Sequence, residues 1–405
     1  MQTNQGLTGT LMDEPSDKQP RELGFRNVMR LGYVSFFTDV STEMILGILP
    51  FFIVTELGAS AAILGLVEGV ADAANYAFRV VAGVVTDKIG KRKPLVLLGY
   101  GLSSFAKPFF AVTSSWSQAF AVRVMDRAGK GTRTSPRDAL ISDSAPKSIA
   151  GKAFGFHRSL DQLGAVLGPI IAFATIPLIG IRGIFWLSFI PAAAALFVLV
   201  FFVRDVRGHG GRKSVFENAR EVLSRRFIFL LAALGIFSVG AYDFSFILLK
   251  AGSLGVPANY IPLVYASLNA ATVILGIPAG MLADRIGKAQ VLGLSYIVFV
   301  VTSAAGTLLT GNQLYAVVIA VLFGSYFGIA DTVQRAIIPD FTRAELKGTA
   351  YALYYTLIGF CAFAANAIFG ALWTNIGSGA AFQFSIVTTT IGAFALIAFI
   401  IKRPR

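Results

Sequence analysis

Two carboxylates four residues apart, Asp39 and Glu43, lie inside a long apolar run near the start of the chain. Residues at this spacing share one face of a helix, and Glu68 and Asp72 repeat it in the next apolar run. Burial and a second carboxylate favour the protonated form of a carboxyl group, whereas a nearby cation favours the ionised form. The pattern therefore predicts groups that exchange protons, although an ion-pair network that only packs helices is a second interpretation.

Cations occupy a later apolar run at similar spacing. Each charged side chain costs about 2.5 to 3.5 kcal/mol at the centre of a membrane helix on insertion scales. Such groups must therefore pair with opposite charges or face water. We expect Arg123 and Arg127 to be the partners of the two carboxylates of the first run. One helical stripe contains, at i, i+3, i+4 and i+7, Arg123, Asp126, Arg127 and Lys130.

The elements that position these groups are long apolar runs. The chain has 405 residues, of which 55% are hydrophobic and 14% charged, and its mean hydropathy is +0.69; soluble domains contain about 25% charged residues. Twelve runs are long enough to span a bilayer as helices. Their approximate limits are residues 31–55, 61–86, 94–113, 117–140, 152–178, 184–203, 227–251, 259–283, 290–311, 313–337, 349–373 and 379–401. The sequence predicts an all-α membrane protein.

The two halves of the chain repeat each other. Residues 82–91, AGVVTDKIGK, return 197 residues later as AGMLADRIGK at 279–288, and Asp143 recurs as Asp340 at the same offset. A repeat near half the chain length is typical of duplicated transporters. We therefore predict a disordered tail at 1–24, six-helix bundles at 25–203 and 227–405, and a linker at 204–226.

The distribution of Lys and Arg predicts the orientation. If Met1 is cytoplasmic, the inside connections hold most of the basic residues near the spans, whereas the outside connections hold only Arg182. By the positive-inside rule both termini then lie in the cytoplasm. The same asymmetry explains the net charge of +13, so no nucleic-acid partner is expected.

Two motifs resemble those of a known family. The loop Gly83-x-x-x-Asp87-Lys88-x-Gly90-Lys91-Arg92-Lys93 resembles the signature loop of the major facilitator superfamily. Its weaker copy in the second half contains Gly280, Asp284 and Arg285. The fifth run contains GAVLGP, in which Gly164, Gly168 and Pro169 are similar to a motif of drug and metabolite antiporters. Residues 37–44 and 126–140 resemble a bacterial subgroup of unassigned substrate.

Each motif has a physical interpretation. Gly83 allows two helices to approach closely, and Asp87 can bond a neighbouring helix, so the loop is predicted to latch the outward-open state and to break when the cavity opens inward. A loop that only directs topology is the alternative. Gly164, Gly168 and Pro169 predict a close-packed, kinked helix face that seals against proton leak, or plain close packing without a functional role.

The resemblance also implies the fold and the place of the charged residues. It implies two pseudo-symmetric six-helix bundles in which helices 1, 4, 7 and 10 line a central cavity. The residues that this places at or near the central route are Asp39, Glu43, Arg123, Asp126, Arg127, Asp243 and Asp331.

The function that these patterns favour is proton-coupled export of a small organic compound by alternating access. The sequence contains no Gly-x-Ser-x-Gly, no nucleotide-binding Gly-x-x-x-x-Gly-Lys-Ser/Thr and no His-Glu-x-x-His, so we expect neither an enzyme nor a cofactor nor a bound metal. The expected partners are the lipid bilayer, protons and the substrate, and we expect a monomer in a bacterial inner membrane.

Three alternatives remain open at this point. A cation or metal-ion transporter would use Asp39, Glu43 and Asp243 as oxygen ligands. An organic-anion transporter would use the basic residues of the fourth run. A sensor or scaffold would transport nothing.

Overall fold

A computed structural model describes residues 18–145, 149–206, 219–343 and 346–401, and every regular element in these ranges is a helix. We number the helices that cross the molecule α1 to α12. The first six are α1 (Lys18–Leu46), α2 (Ala61–Ile89), α3 (Lys93–Ala106), α4 (Trp116–Ser144), α5 (150–179) and α6 (181–187 with Phe189–Phe201). The second six are α7 (Arg225–Gly240 with Ser245–Ser253), α8 (Ile261–Ile286), α9 (Lys288–Leu308), α10 (Leu314–Ile337), α11 (Lys347–Asn375) and α12 (Ser378–Ile401).

Several helices are interrupted or extended. After a break at Gly47 and Ile48, α1 continues as Leu49–Phe51 and a π-helical turn, Phe52–Glu56. A 3₁₀ segment, Lys107–Val112, extends α3. Gly180 has φ 68° and ψ 175°, a non-helical conformation that favours glycine, and it separates α5 from α6. Pro169 lies inside α5, but the residue with non-helical backbone geometry is Gly180, at the end of α5.

The described helices include nine segments that are both long and apolar enough to cross a membrane. One of them, Gly151–Phe201, has 51 residues and contains both α5 and α6. Helices α2 and α4 are 29 residues long but are not among the nine. These two carry the buried charges Glu68 and Arg123, which lower their hydropathy. The twelve predicted spans are therefore all present as helices.

The same packing order occurs in both halves. In the first half α1 packs on α5 and α6, α4 packs on α2 and α3, and α3 contacts α6. The second half repeats each contact with the corresponding helix, so that α7 packs on α11 and α12, and α10 on α8 and α9. Between the halves, the main contacts join α2 to α11 and α5 to α8, which are also related by the repeat.

The two halves close against each other at one end. We call the end where α1 begins and α12 ends the terminal face, and the other end the opposite face. Near the opposite face, the amide of Ala62 in α2 donates a hydrogen bond to Thr374 Oγ1 in α11 at 2.8 Å. A Cβ placed on Gly65 would collide with the backbone of Asn366. The glycines of α2 thus allow contact between the backbones of the two halves.

Some predicted boundaries differ from the structure. Helix α1 begins at Lys18, so residues 18–24 are helical where the sequence predicted a disordered tail. The seventh span is broken at residues 241–244, which the continuous apolar run did not indicate. Within the predicted linker, a one-turn helix occupies Ala219–Val222. Residues 1–17, 207–218 and 402–405, which include most of the predicted tail and linker, lie outside the described residues.

Candidate substrate cavity

A cavity of about 380 Å³ lies between the two halves. Its wall is formed by α1, α2, α4 and α5 of the first half and by α7, α8, α10 and α11 of the second. The resemblance implied only α1, α4, α7 and α10, so four further helices contribute. The side chains of Arg158 and Arg335 at one end are 49% and 39% exposed, whereas Glu43 is 8% exposed. The cavity therefore opens toward the terminal face.

Most of the predicted central residues line this cavity. Arg123 and Asp126 are absent from its wall and lie behind it. The predicted residues that do line it are Asp39, Glu43, Arg127, Asp243 and Asp331.

The glycines of α5 allow the carboxylates of α1 to reach this position. A Cβ on Gly164 would lie 3.1 Å from Asp39 Cβ, and a Cβ on Gly168 would lie 2.9 Å from Glu43 Cβ. Both glycines also face the backbone of α1, where a Cβ on Gly168 would lie 2.8 Å from the carbonyl oxygen of Val40. Glycines four residues apart on α5 therefore match carboxylates four residues apart on α1.

Glu43 connects the first half to the second. Its Oε2 accepts hydrogen bonds from the hydroxyl of Tyr265 at 2.6 Å and from Nδ2 of Asn269 at 3.3 Å, both on α8. Asn269 Nδ2 also donates to the carbonyl of Ala165 on α5 at 2.8 Å. The donors to Glu43 are thus neutral side chains of the opposite half, so this buried carboxyl group contributes directly to closure between the halves.

Asp39 lies beside a second carboxyl group. The charged groups around its side chain are Asp161 of α5, Lys130 of α4 and Glu43. Asp161 also accepts a hydrogen bond from Ser35 Oγ at 2.6 Å and pairs with Arg158 at 2.9 Å. Carboxylates of α1 and α5 therefore both line the cavity wall.

The prediction that Arg123 pairs with the carboxylates of α1 is wrong. Its guanidinium, 1% exposed, pairs with Glu68 of α2 at 2.6 Å and lies 3.5 Å from Asp126. Asp126 in turn accepts a hydrogen bond from Ser103 Oγ of α3 at 2.6 Å. These residues form a buried network that joins α2, α3 and α4 behind the cavity wall.

The physical reason is that the charged stripe of α4 is longer than the cavity. Of the α4 residues that line the cavity, Arg127 is the one nearest the opposite face, and the others lie closer to the terminal face. Arg123 lies one turn beyond Arg127, where α4 packs directly on α2 and α3. Arg127 itself lies 4.0 Å from Asp72 of α2 and is not paired with Asp39 or Glu43 in an ion pair.

Asp243 and Asp331 have different environments. Asp243 lies in the break of α7, where its Oδ1 accepts hydrogen bonds from Ser245 N at 2.9 Å and Ser245 Oγ at 2.6 Å. It therefore stabilises the start of the second segment of α7. Asp331 of α10 pairs with Arg335 on its own helix and with Arg158 of the first half at 3.2 Å. This second pair joins the halves near the terminal face.

The predicted latch loops share one packing feature. A Cβ on Gly83 of α2 would contact Ser135 of α4 at 3.6 Å, and a Cβ on Gly280 of α8 would contact Thr332 of α10 at the same distance. These pairs are related by the 197-residue repeat. Gly90 ends α2 with φ 68°, a left-handed conformation that glycine adopts without strain.

Ion pairs link both loops to neighbouring helices on the terminal face. Arg92 Nε lies 3.3 Å from Asp143 at the end of α4, and Lys288 lies 2.8 Å from Asp340, the repeat of Asp143. The side chain of Asp87 lies outside the described residues, so its role remains a prediction. Four further charged residues of the two loops are exposed, namely Lys88, Lys91, Asp284 and Arg285.

The cavity wall also contains residues that the sequence did not predict. Arg79 of α2 lines the cavity, and its guanidinium lies 4.8 Å from the ring centroid of Tyr355 on α11. The i, i+3, i+4 and i+7 series from Asp72 through Asn75 and Tyr76 to Arg79 could have indicated it, because all four residues line the cavity. The aromatic residues of the second half carried no comparable signal, since apolar helices contain aromatic residues on every face.

Comparisons with known proteins agree with this architecture. The family model described as Major Facilitator Superfamily matches residues 31–266 and 228–405. The chain belongs to this superfamily. An MFS-type transporter of Methanocaldococcus jannaschii is 31% identical over 396 residues, which cover 95% of this chain and 97% of the relative. The predicted family and its twelve-helix, two-bundle fold are thus confirmed.

Two further likenesses are more distant. An auto-inhibited peptide transporter of the POT family superposes with a TM-score of 0.79 at 12% identity, covering 94% of this chain and 97% of that chain. The quinolone resistance protein NorA of Staphylococcus aureus is 25% identical over 144 residues, which cover 36% of this chain and 37% of that protein. As a member of the major facilitator superfamily, the chain is a multi-pass membrane transporter of small molecules rather than an enzyme.

Proposed function

We propose that this superfamily member is a proton-coupled antiporter that exports a small organic compound by alternating access. The observation that carries the proposal is Glu43, a buried carboxyl group that bonds the other half through Tyr265 and Asn269. In this proposal Glu43 carries the proton, and because it is also a closure contact, proton binding is linked to the access state of the cavity. The likeness to a quinolone resistance protein and the glycine motif of α5 support export.

The proposed cycle uses the two carboxyl sites on α1 in turn. In the described conformation Glu43 is shielded from water, while the cavity with Asp39 opens to the terminal face. Separation of α1 from α8 would break the hydrogen bonds of Glu43 and expose it to the opposite side, where it can bind a proton. Return to the described conformation would bring that proton toward the Asp39 and Asp161 pair, from which it leaves to the terminal side.

The test uses Glu43→Gln and Asp39→Asn in proteoliposomes that contain a pH-sensitive dye. Compounds found by a thermal-shift screen at two pH values serve as substrates. Both substitutions should abolish transport driven by a pH gradient, while compound binding persists with a weaker dependence on pH. Glu56→Gln is the control, because Glu56 lies near the opposite face, 36% exposed, in an ion pair with Arg182. Coupled transport at the normal rate in both cavity variants would overturn the proposal.

The same measurements address a cation or metal-ion transporter, in which Asp39, Glu43 and Asp243 would be ligands. That function predicts that the two substitutions remove binding itself. Within residues 18–401, apart from the undescribed gaps, no group of three or more His, Cys, Asp or Glu side chains is arranged to hold a metal ion.

We also infer that the protein is a monomer in a bacterial inner membrane with the terminal face in the cytoplasm. The orientation rests on loop charge, since Arg182 is the only basic residue of the predicted outside loops. In the described conformation the cavity would then be open to the cytoplasm, as loading of an exported compound requires.

A further inference from the structure

The two halves contribute different chemistry to the cavity wall. Seven cationic side chains line the cavity, and six of them belong to α2, α4 and α5 of the first half. The first half contributes only four carboxylates to the same wall, so its side carries an excess of positive charge. The six cations are Arg79, Arg127, Lys130, Arg133, Arg137 and Arg158.

Three of these cations lack a carboxylate partner. Within the ranges that the structure describes, the ion pairs closer than 4.0 Å include none with Arg79, Lys130 or Arg133. Arg133 is 3% exposed, lies over the Tyr100 ring at 4.4 Å, and its Nη1 has no hydrogen-bond acceptor. The Nε of Arg79 also has none. Because these three cations line the cavity without a carboxylate partner, an anionic oxygen of a ligand can serve as their partner.

The second half provides an aromatic wall. Eight of the nine aromatic side chains that line the cavity come from α7, α8, α10 and α11. Tyr355 is stacked on Tyr76 of the first half with ring centroids 5.8 Å apart. The Arg79 guanidinium lies 4.8 Å from the same Tyr355 ring, so the cationic and aromatic surfaces meet there. Planar rings bind such surfaces by offset or edge-to-face stacking.

We propose that the transported compound is an organic anion with an aromatic ring. Its carboxylate or phosphate group binds Arg79, Lys130 and Arg133, and its ring packs against the tyrosines of α10 and α11. A cavity of about 380 Å³ accommodates one compound of drug-like size. The inference rests on the proposed transport function, but it requires binding only and is independent of proton coupling.

The test is equilibrium binding to the purified full-length chain in detergent, with no gradient. The probes are 2-naphthoate, 2-naphthyl phosphate, 2-naphthamide, 2-naphthylmethylamine and decalin-2-carboxylate. We expect one of the two naphthyl anions to bind more tightly than the amide, amine and decalin compounds, and the tighter of the two identifies carboxylate or phosphate as the preferred group. Lys130→Gln and Arg79→Gln should each weaken its binding about tenfold, whereas binding of the amide should not change.

Matched variants keep the result interpretable. Arg220→Gln removes an exposed cation from the short helix before α7 and should leave all affinities unchanged. Tyr355→Leu should weaken the naphthyl anion more than decalin-2-carboxylate, because only the former stacks. Any one of three results would overturn the inference. These are tighter binding of 2-naphthylmethylamine than of either naphthyl anion, unchanged anion affinity in both Lys130→Gln and Arg79→Gln, and no anion binding up to about 10 mM. If the unsubstituted protein binds the naphthyl anion but shows no proton-coupled transport, the proposed antiport is rejected and this inference stands.

Discussion

Gly168→Ala adds one methyl group at the closest approach of α5 to α1. The new Cβ would lie 2.8 Å from Val40 O, 2.9 Å from Met44 N and 2.9 Å from Glu43 Cβ. Carbon atoms in ordinary contact are about 3.5 to 4.0 Å apart, so α1 must retreat by roughly 0.6 Å. Two of the three atoms belong to the helix backbone and cannot move independently, so a change of side-chain rotamer cannot relieve the clash.

The expected cost follows from two opposing effects. Overpacking of a close-packed interior costs about 1 to 3 kcal/mol. Alanine is favoured over glycine inside a helix by about 0.5 to 1 kcal/mol, which offsets part of this cost. We therefore expect a net destabilisation of up to about 2.5 kcal/mol. The same displacement would lengthen the 2.6 Å hydrogen bond between Glu43 and Tyr265 and loosen closure between the halves.

Gly155→Ala provides the matched control on the same helix. A Cβ at Gly155 would have no atom within 4 Å, so only the gain in helix propensity applies and the melting temperature should rise slightly. Thermal unfolding of both variants in the same detergent measures the difference. A rise of equal size in both variants would refute the conclusion that Gly168 is required for contact between α1 and α5.

Three further predictions follow from other parts of the molecule. In a variant that lacks Cys361, the one cysteine of the chain, a cysteine placed in 113–117 should react with a membrane-impermeant thiol reagent added from outside. A cysteine placed in 208–211 should not react, and the reverse pattern would refute the orientation. Asp87→Asn should slow transport at normal expression, and unchanged kinetics would reject the latch. Arg123→Met leaves Glu68 buried without its cation and should lower the free energy of unfolding by about 3 to 5 kcal/mol. Adding Glu68→Gln to this variant should restore part of the melting temperature, and equal melting temperatures for the single and double variants would contradict the pairing.

The predicted site residues show how far spacing along one helix can be used. The spacing of Asp39 and Glu43 predicted one helix face, and both residues line the cavity. The stripe of α4 predicted a single charged surface, but the structure divides it between the cavity and a buried network with Glu68. Periodicity specifies direction around a helix, whereas the division depends on where α2 and α3 cover α4, and this is a property of helix packing.

The sequence by itself determined that the chain spans a membrane with twelve helices in two related halves, because length, hydropathy and an exact offset repeat are local properties of the chain. Only the tertiary structure decided which charged residues pair with partners on other helices. Glu43 bonds Tyr265, which is 222 residues away, and Arg158 pairs with Asp331, 173 residues away. Contacts at such separations depend on how the two halves are placed against each other, and no pattern along one helix encodes that placement.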